Sequence, residues 1–264
     1  MPDAFNMTIM RPPALAYYDG SAGGAGYGNI VTDQPGERAV FTKGGGHMRV
    51  DAGRPITVNQ IALLYTDLGP GERVEFIGSS VADFATNEPV GSVVMTNEVS
   101  NSNDPGYRHM YLNLLNNPKQ YRYWQVGVYG MNAGLQRSAG RLALGQALQV
   151  EYNPDYGATS WGFDEAPEPD TLDSGVSILD ELPAAPVFNF SITWATEAEM
   201  ELWWNRAFGA LQWQRRPVLV VRRPDAADNP YRHSGIFWGI MRLQPFVAAQ
   251  FDMHEVQGKV KSLV

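Results

Sequence analysis

The sequence predicts a mainly β fold in two blocks, an N-terminal β-sandwich and a C-terminal small α+β or barrel-like unit with one helix. Three observations carry this. Short apolar or alternating runs recur at close spacing from Arg38 to Gln149, with turn clusters such as Leu68-Gly69-Pro70-Gly71 between them. Glycine (27) and proline (18) are plentiful, which suits many short strands better than a helical bundle. Only one stretch, from Thr196 to Gly209, combines helical period with helix caps.

Residues 1–30 are apolar and glycine-rich without clear period and read as an N-terminal arm. Within them Ser21–Asn29 is glycine-dense but lacks the Gly-Lys-Ser/Thr ending of a phosphate loop. Strand-like runs then follow at 38–42, 47–50, 56–65, 73–77, 91–96, 109–115, 121–129 and 141–149, with Gly44-Gly45-Gly46 as a hairpin turn. Ile61–Tyr65 is apolar throughout, as a central strand is. Val74 and Phe76 alternate with Arg73, Glu75 and Ile77. In 121–129, Trp124, Val126 and Val128 share one face that only Arg122 breaks, while Tyr121, Tyr123, Gln125 and Tyr129 take the other. Leu142 and Leu144 repeat the pattern between Gly140 and Gly145. These two runs read as the closing strands of a sandwich over 31–150.

Charge marks the next boundary. Residues 1–150 carry 11 basic and 12 acidic side chains, 151–186 nine acidic and no basic, and 187–264 nine basic and seven acidic. The acidic stretch also holds Asn153-Pro154 and Ala166-Pro167-Glu168-Pro169, so 151–186 reads as an extended linker, with Tyr156, Trp161 and Phe163 as aromatic anchors. In the block 187–264, Phe188, Phe190, Ile192 and Trp194 are expected to share one strand face. Thr196 is the expected N-cap with Glu199 three residues on. Met200, Trp204 and Phe208, widened by Trp203 and Ala207, are the expected buried stripe, and Gly209 follows as the C′ residue. Strands over Pro217–Val221, Gly235–Met241 and Phe246–Val256 complete a β-α-β-β-β order.

Composition excludes several functions. A net charge of −8 argues against a general nucleic-acid binder. The absence of cysteine removes disulfides and thiolate metal sites. No apolar run approaches the ~20 residues of a membrane helix, and the N-terminus lacks the basic and apolar regions of a signal peptide. His47, His109, His233 and His254 are too far apart for helical zinc spacing, and no Gly-x-Ser-x-Gly elbow occurs. The dense carboxylates lie in the proline-rich stretch, not in a setting that raises a pKa. No catalytic, cofactor-binding or metal-ligating residue is therefore assigned, and no enzyme activity or cofactor is expected. Asn101–Asp104 with Glu98 offers oxygen ligands for calcium, but an Asx-turn cluster accounts for the same residues. Tyr121, Tyr123 and Tyr129 suit a subunit contact, a second packed sheet or a ligand groove. Arg215, Arg216, Arg222 and Arg223 bracket one strand and read either as guards of a solvated edge or as partners for the acidic segment of a neighbouring copy.

Two resemblances arise from these patterns. Ile56–Tyr65, Glu72–Phe76, Tyr123–Val126 and Gly140–Gly145 resemble the galactose-binding-like (discoidin-type) jelly-roll sandwich, whose members bind carbohydrate or act as spacers. Phe188–Trp194, Glu197–Phe208 and Phe246–Glu255 resemble the ring-forming domain of phage distal tail proteins, although those usually place the ring domain first. The resemblance implies a structural virion protein of a phage tail tip or baseplate, assembled in the host cytoplasm. Such a protein forms a homo-oligomeric ring, expected to be a hexamer, joining the tail tube to hub and adsorption proteins. The alternative it implies is a carbohydrate-binding module for a cell-surface glycan. Neither implies a specific nucleic acid or membrane insertion.

Overall fold

The computed structural model describes residues 6–21, 24–42, 46–94, 108–132, 134–155, 157–163, 170–171, 177–178, 185–207, 215–224, 235–244, 247–250 and 253–263. Two compact units emerge, Met1–Glu151 with Val218–Ile236, and Tyr152–Pro217 with Phe237–Val264. The mainly β architecture is as expected, but the division at 1–30, 31–150, 151–186 and 187–264 is not the one observed.

The first unit contains β1 (Thr8–Met10), β2 (Ala16–Gly20), a 3-10 turn (Tyr27–Val31), β3 (Ala39–Phe41), β4 (Gly46–Val58), β5 (Gln60–Thr66) and β6 (Arg73–Ser79). It continues with β7 (Asn87–Val94), β8 (Arg108–Asn113), β9 (Lys119–Tyr129), β10 (Arg137–Ala139), β11 (Arg141–Gly145) and β12 (Leu148–Gln149). Five strands form an antiparallel sheet in the order β2-β4-β9-β6-β7, and three form a second in the order β11-β5-β8. Alternate side chains of both meet in one core: Met48, Val50, Val74, Phe76, Trp124, Val126 and Val128 from the first, Ile61, Leu63, Met110, Leu142 and Leu144 from the second. That is a β-sandwich, held by burial of its two inner faces. The two runs expected to close it, β9 and β11, lie in opposite sheets.

Several expectations are corrected here. Residues 8–10 and 16–20 are strands, so this stretch is not a free arm. β5 is buried along its whole length because both its faces are covered. Ile61 and Leu63 enter the sandwich core, while on the other face Gln60 Nε2 donates to Thr8 Oγ1 of β1. The run 56–65 is two strands, divided at Asn59. There the Asn59 side chain accepts the Ala147 N–H at 2.6 Å and donates to the Ala147 carbonyl at 3.2 Å, fixing the corner where the chain changes sheet. β3 pairs with β10 while β4 pairs with β2 and β9, and of the expected hairpin turn Gly44–Gly46 the first two residues lie outside the described residues.

Beyond β12 the chain forms β13 (Ser160–Phe163), β14 (Asp170–Thr171), β15 (Ser177–Ile178), β16 (Pro186–Thr196), α1 (Glu197–Ala207), β17 (Val218–Val221), β18 (Ile236–Leu243), β19 (Val247–Gln250) and β20 (Met253–Ser262). β17 belongs to the first unit, antiparallel to β1. In the second unit the antiparallel order is β18-β20-β16-β13, with β19 pairing the start of β20, Met253–Glu255, on the side that β18 pairs further along. Phe188, Phe190, Ile192, Met241, Val256 and Val260 are buried, and Phe188 stacks on Phe237 at 5.0 Å. The expected linker is thus partly strand: β13 pairs with β16. Its expected anchor Trp161 is exposed, Tyr156 lies outside the described residues, and the side chain of Phe163 is not described.

The helix begins as its cap predicts, with Thr196 Oγ1 accepting the Glu199 N–H at 3.3 Å. Its buried stripe is Glu199, Met200 and Trp203, whereas Trp204 is 58% exposed; Phe208 and Gly209 lie outside the described residues. Trp194 does not share the face of Phe188, Phe190 and Ile192. The β16–β20 register shifts between Ile192 and Ala195, which buries Ala195 and turns Trp194 out to 48% exposure. The final strand is Met253–Ser262, so Glu255 lies near its start and not at its end.

Candidate functional face of the five-stranded sheet

The inner face of the five-stranded sheet is apolar; its outer face is polar and aromatic. Strand register places Asp19, Arg49, Gln125 and Ile77 in one row across it, with Asp51, Tyr123 and Ser79 in the next. The Arg49 guanidinium donates to Gln125 Oε1 at 2.9 Å and to Asp19 Oδ2 at 3.0 Å, and lies 4.7 Å from the centre of the Phe84 ring. Arg122 pairs with Asp51 through two bonds of 2.9 Å and sits 4.9 Å from the Tyr123 ring.

A register shift explains why Arg122 reaches this face. Pairing of β4 with β9 slips between Asp51 and Ile56, where Gly53 adopts φ +74° and donates its N–H to Asp51 Oδ1 at 2.7 Å. The expected break in the core face is therefore relieved by the bulge. Hydrogen bonding from Arg122 holds the Asp51 carboxyl below the usual carboxylate range.

A second shift, between Tyr17 and Asp19, turns Tyr18 outward. Its ring meets Tyr123 edge-on at 5.9 Å, and its hydroxyl donates to the Ala82 carbonyl at 2.9 Å. That bond fastens the loop after β6 against the sheet face. Within the loop Ser79 Oγ donates to the Thr86 carbonyl at 2.7 Å, and Asn87 Nδ2 donates to the Phe84 carbonyl at 3.0 Å. Phe84 is a non-glycine residue in the left-handed region, φ 58°, a conformation that surrounding contacts must hold.

The three tyrosines expected on one face separate. Tyr123 is on the outer face. Tyr129 folds over Gly127, where any Cβ would sit 2.6 Å from its ring, and Arg73 approaches the ring at 5.3 Å. Tyr121 instead packs at the core edge, edge-on to Trp124 at 5.7 Å and across Gly78, and its hydroxyl donates to Glu88.

The remaining candidates do not converge. His47 faces Ser21 at 2.9 Å, and burial followed by the nearby Arg49 charge lowers its pKa. His109 Nδ1 accepts the Tyr65 N–H at 3.1 Å, a structural role. His254 lies on β20, while His233, Glu98 and Asn101–Asp104 lie outside the described residues. Among the described residues no group of three or more His, Asp or Glu is placed to hold a metal. Arg215, Arg216 and Arg223 are exposed and Arg222 half-buried.

Sequence reasoning missed Tyr18, Arg49, Asp51 and Phe84: Arg49 and Asp51 alternate with the buried Met48 and Val50, but alternation names no partners across strands, and no alternation marks the face that Tyr18 and Phe84 take. The assembled face offers ring surfaces for stacking beside oriented amide, carboxylate and guanidinium groups. These are the group types that stack on the apolar faces of polar ligands and hydrogen-bond their hydroxyls.

No protein-family model matches the chain, and no curated protein is similar to it. Solved structures similar to about half of it include carbohydrate-binding modules. One is the CBM32 of AlyQ in complex with 4,5-unsaturated mannuronic acid: 17% identity, 52% of this chain and 96% of that one, TM-score 0.37. Another is CBM32-1 from a family 31 glycoside hydrolase of Clostridium perfringens: 17% identity, 53% and 94%, TM-score 0.35. A third is chitosan-binding module 1 from a chitosanase/glucanase of Paenibacillus sp. IK-5: 15% identity, 51% and 98%, TM-score 0.40.

Proposed function

We propose that this protein is a non-catalytic glycan-binding protein whose first unit holds saccharide on the outer face of the five-stranded sheet. The observation that carries the reading is the Tyr18–Tyr123 pair, set beside the Arg49–Gln125–Asp19 and Arg122–Asp51 networks. Sugar rings stack on aromatic faces while their hydroxyls take hydrogen bonds from groups already held in place. A broad glycan array on the full chain, followed by calorimetry on the best ligand, tests it. Tyr123→Ala is expected to weaken binding about tenfold, the loss of roughly 1.4 kcal/mol. A complete absence of binding across the array would sink the reading.

A second reading rests on the second unit. Trp161, Trp194 and Trp204 are 54%, 48% and 58% exposed, and Leu202, on the same helix as Trp204, is 36% exposed. Tryptophan so exposed is characteristic of protein interfaces. This supports a structural subunit of a phage tail tip, in which a homo-oligomeric ring joins the tail tube to adsorption proteins. Solution mass and negative-stain imaging test it; closed rings are expected, and a strict monomer absent from virions would contradict it.

A further inference from the structure

The solvent-facing side of the second unit's sheet carries an arrangement that neither reading uses. Arg242 on β18 stands directly opposite Lys259 on β20, and Ile240 directly opposite Lys261. Arg242, Lys259 and Lys261 are all exposed, while the alternating residues Met241, Leu243, Val256 and Val260 are buried. Three cations therefore occupy neighbouring positions on one face, two of them a direct cross-strand pair. Like charges so placed destabilise a sheet. Among the described residues Arg242 and Lys259 take part in no ion pair. The acid that shares this face of β20, Glu255, is occupied: Ser191 donates to it at 2.9 Å and Gln257 at 2.6 Å. Lys259 continues the row towards Asn189, whose amide donates to Ser160 Oγ at 3.1 Å. The row is thus basic at one end and lined with neutral hydrogen-bonding groups at the other.

This cationic face belongs to a chain of net charge −8, in which residues 151–186 hold nine acidic side chains and no basic one. We propose that the Arg242–Lys259–Lys261 face docks the acidic segment 151–186 of a second copy of this chain. Because donor and acceptor surfaces differ, the contact is heterologous and relates copies head to tail. Placing carboxylates between Arg242 and Lys259 removes their mutual repulsion, so the event that joins two copies relieves a local cost in the copy whose face is filled.

The sign of the salt dependence separates this docking from nonspecific association. Two copies each of charge −8 repel one another, and low salt strengthens that repulsion. Docking between a basic face and an acidic segment gains from low salt instead. Sedimentation of the full chain at about 50 mM and about 300 mM salt, roughly 14 and 6 Å of screening length, reads the sign. Self-association is expected to be about tenfold tighter at the lower salt. Arg242→Glu with Lys259→Glu should abolish it, Arg242→Gln with Lys259→Gln should weaken it partially, and a peptide of residues 164–184 should compete. All four substitutions are at exposed positions, and unchanged melting confirms that the variants fold. A monomer at both salts overturns the proposal. So does association that tightens with added salt, or that survives charge reversal in a folded variant.

Discussion

Trp203 and Trp194 stand nine residues apart, both in positions that period alone assigns to the core, yet they should respond oppositely to truncation. Trp203 is fully buried, with its ring 6.1 Å from Phe190; Trp194 is 48% exposed. A tryptophan side chain presents roughly 200 Å². At roughly 25 cal/mol per Å², complete burial contributes about 5 kcal/mol as an upper bound. Half-burial contributes about half of that before the same reduction for a compact unfolded state. Trp203→Ala also leaves a cavity between helix and sheet, which keeps its expected cost at about 3–5 kcal/mol. Trp194→Ala leaves none and should cost no more than about 2 kcal/mol. Urea denaturation followed by far-ultraviolet circular dichroism measures both, and hydrogen exchange across β16 and α1 localises the loss. Equal losses would refute the outward placement of Trp194, and with it the support it lends to an interface on the second unit.

Gly239→Ala should be severely destabilising, by more than about 3 kcal/mol, because the added Cβ would lie 1.9 Å from the backbone carbonyl oxygen of Lys261 and force β18 from β20. Thermal unfolding reads this directly; an unchanged melting temperature would contradict the register. Asp51→Asn should flatten the acid side of the stability profile. The Asp51 carboxyl is held below its usual range in the folded chain, so as pH falls the unfolded chain takes up the proton first. The pair's contribution is therefore present above about pH 4 and lost as pH falls below it. Arg122 is 41% exposed, so solvent screening keeps that contribution small. His47 adds a dependence of the same sign: its lowered pKa costs stability as pH falls below about 6.5, and His47→Gln should remove it in a melting series from pH 8 to 5.

How much of this was legible in the sequence depends on where the backbone keeps its period. Val74, Phe76, Trp124, Val126, Val128, Leu142 and Leu144 all face the sandwich core, as alternation requires. The same alternation fails at Tyr18, Arg122 and Trp194. Each adjoins a register shift: between Tyr17 and Asp19, opposite the slip from Asp51 to Ile56, and between Ile192 and Ala195. A shift by an odd number of residues reverses the face of what lies beyond it, and a period of two carries no mark of its own interruption. Only the Asp51–Gly53 shift leaves a trace in composition, through a glycine with positive φ and an aspartate that caps its N–H. The residues turned outward are two large aromatics and one arginine, side chains suited to recognition. Tyr18 and Arg122 build the candidate glycan face, and Trp194 one of the exposed positions of the second unit. The irregularities that hide these residues from pattern reading are what bring them to the surface. The core was readable because burial demands regular alternation, whereas Tyr18, Arg122 and Trp194 reach the surface through its interruption.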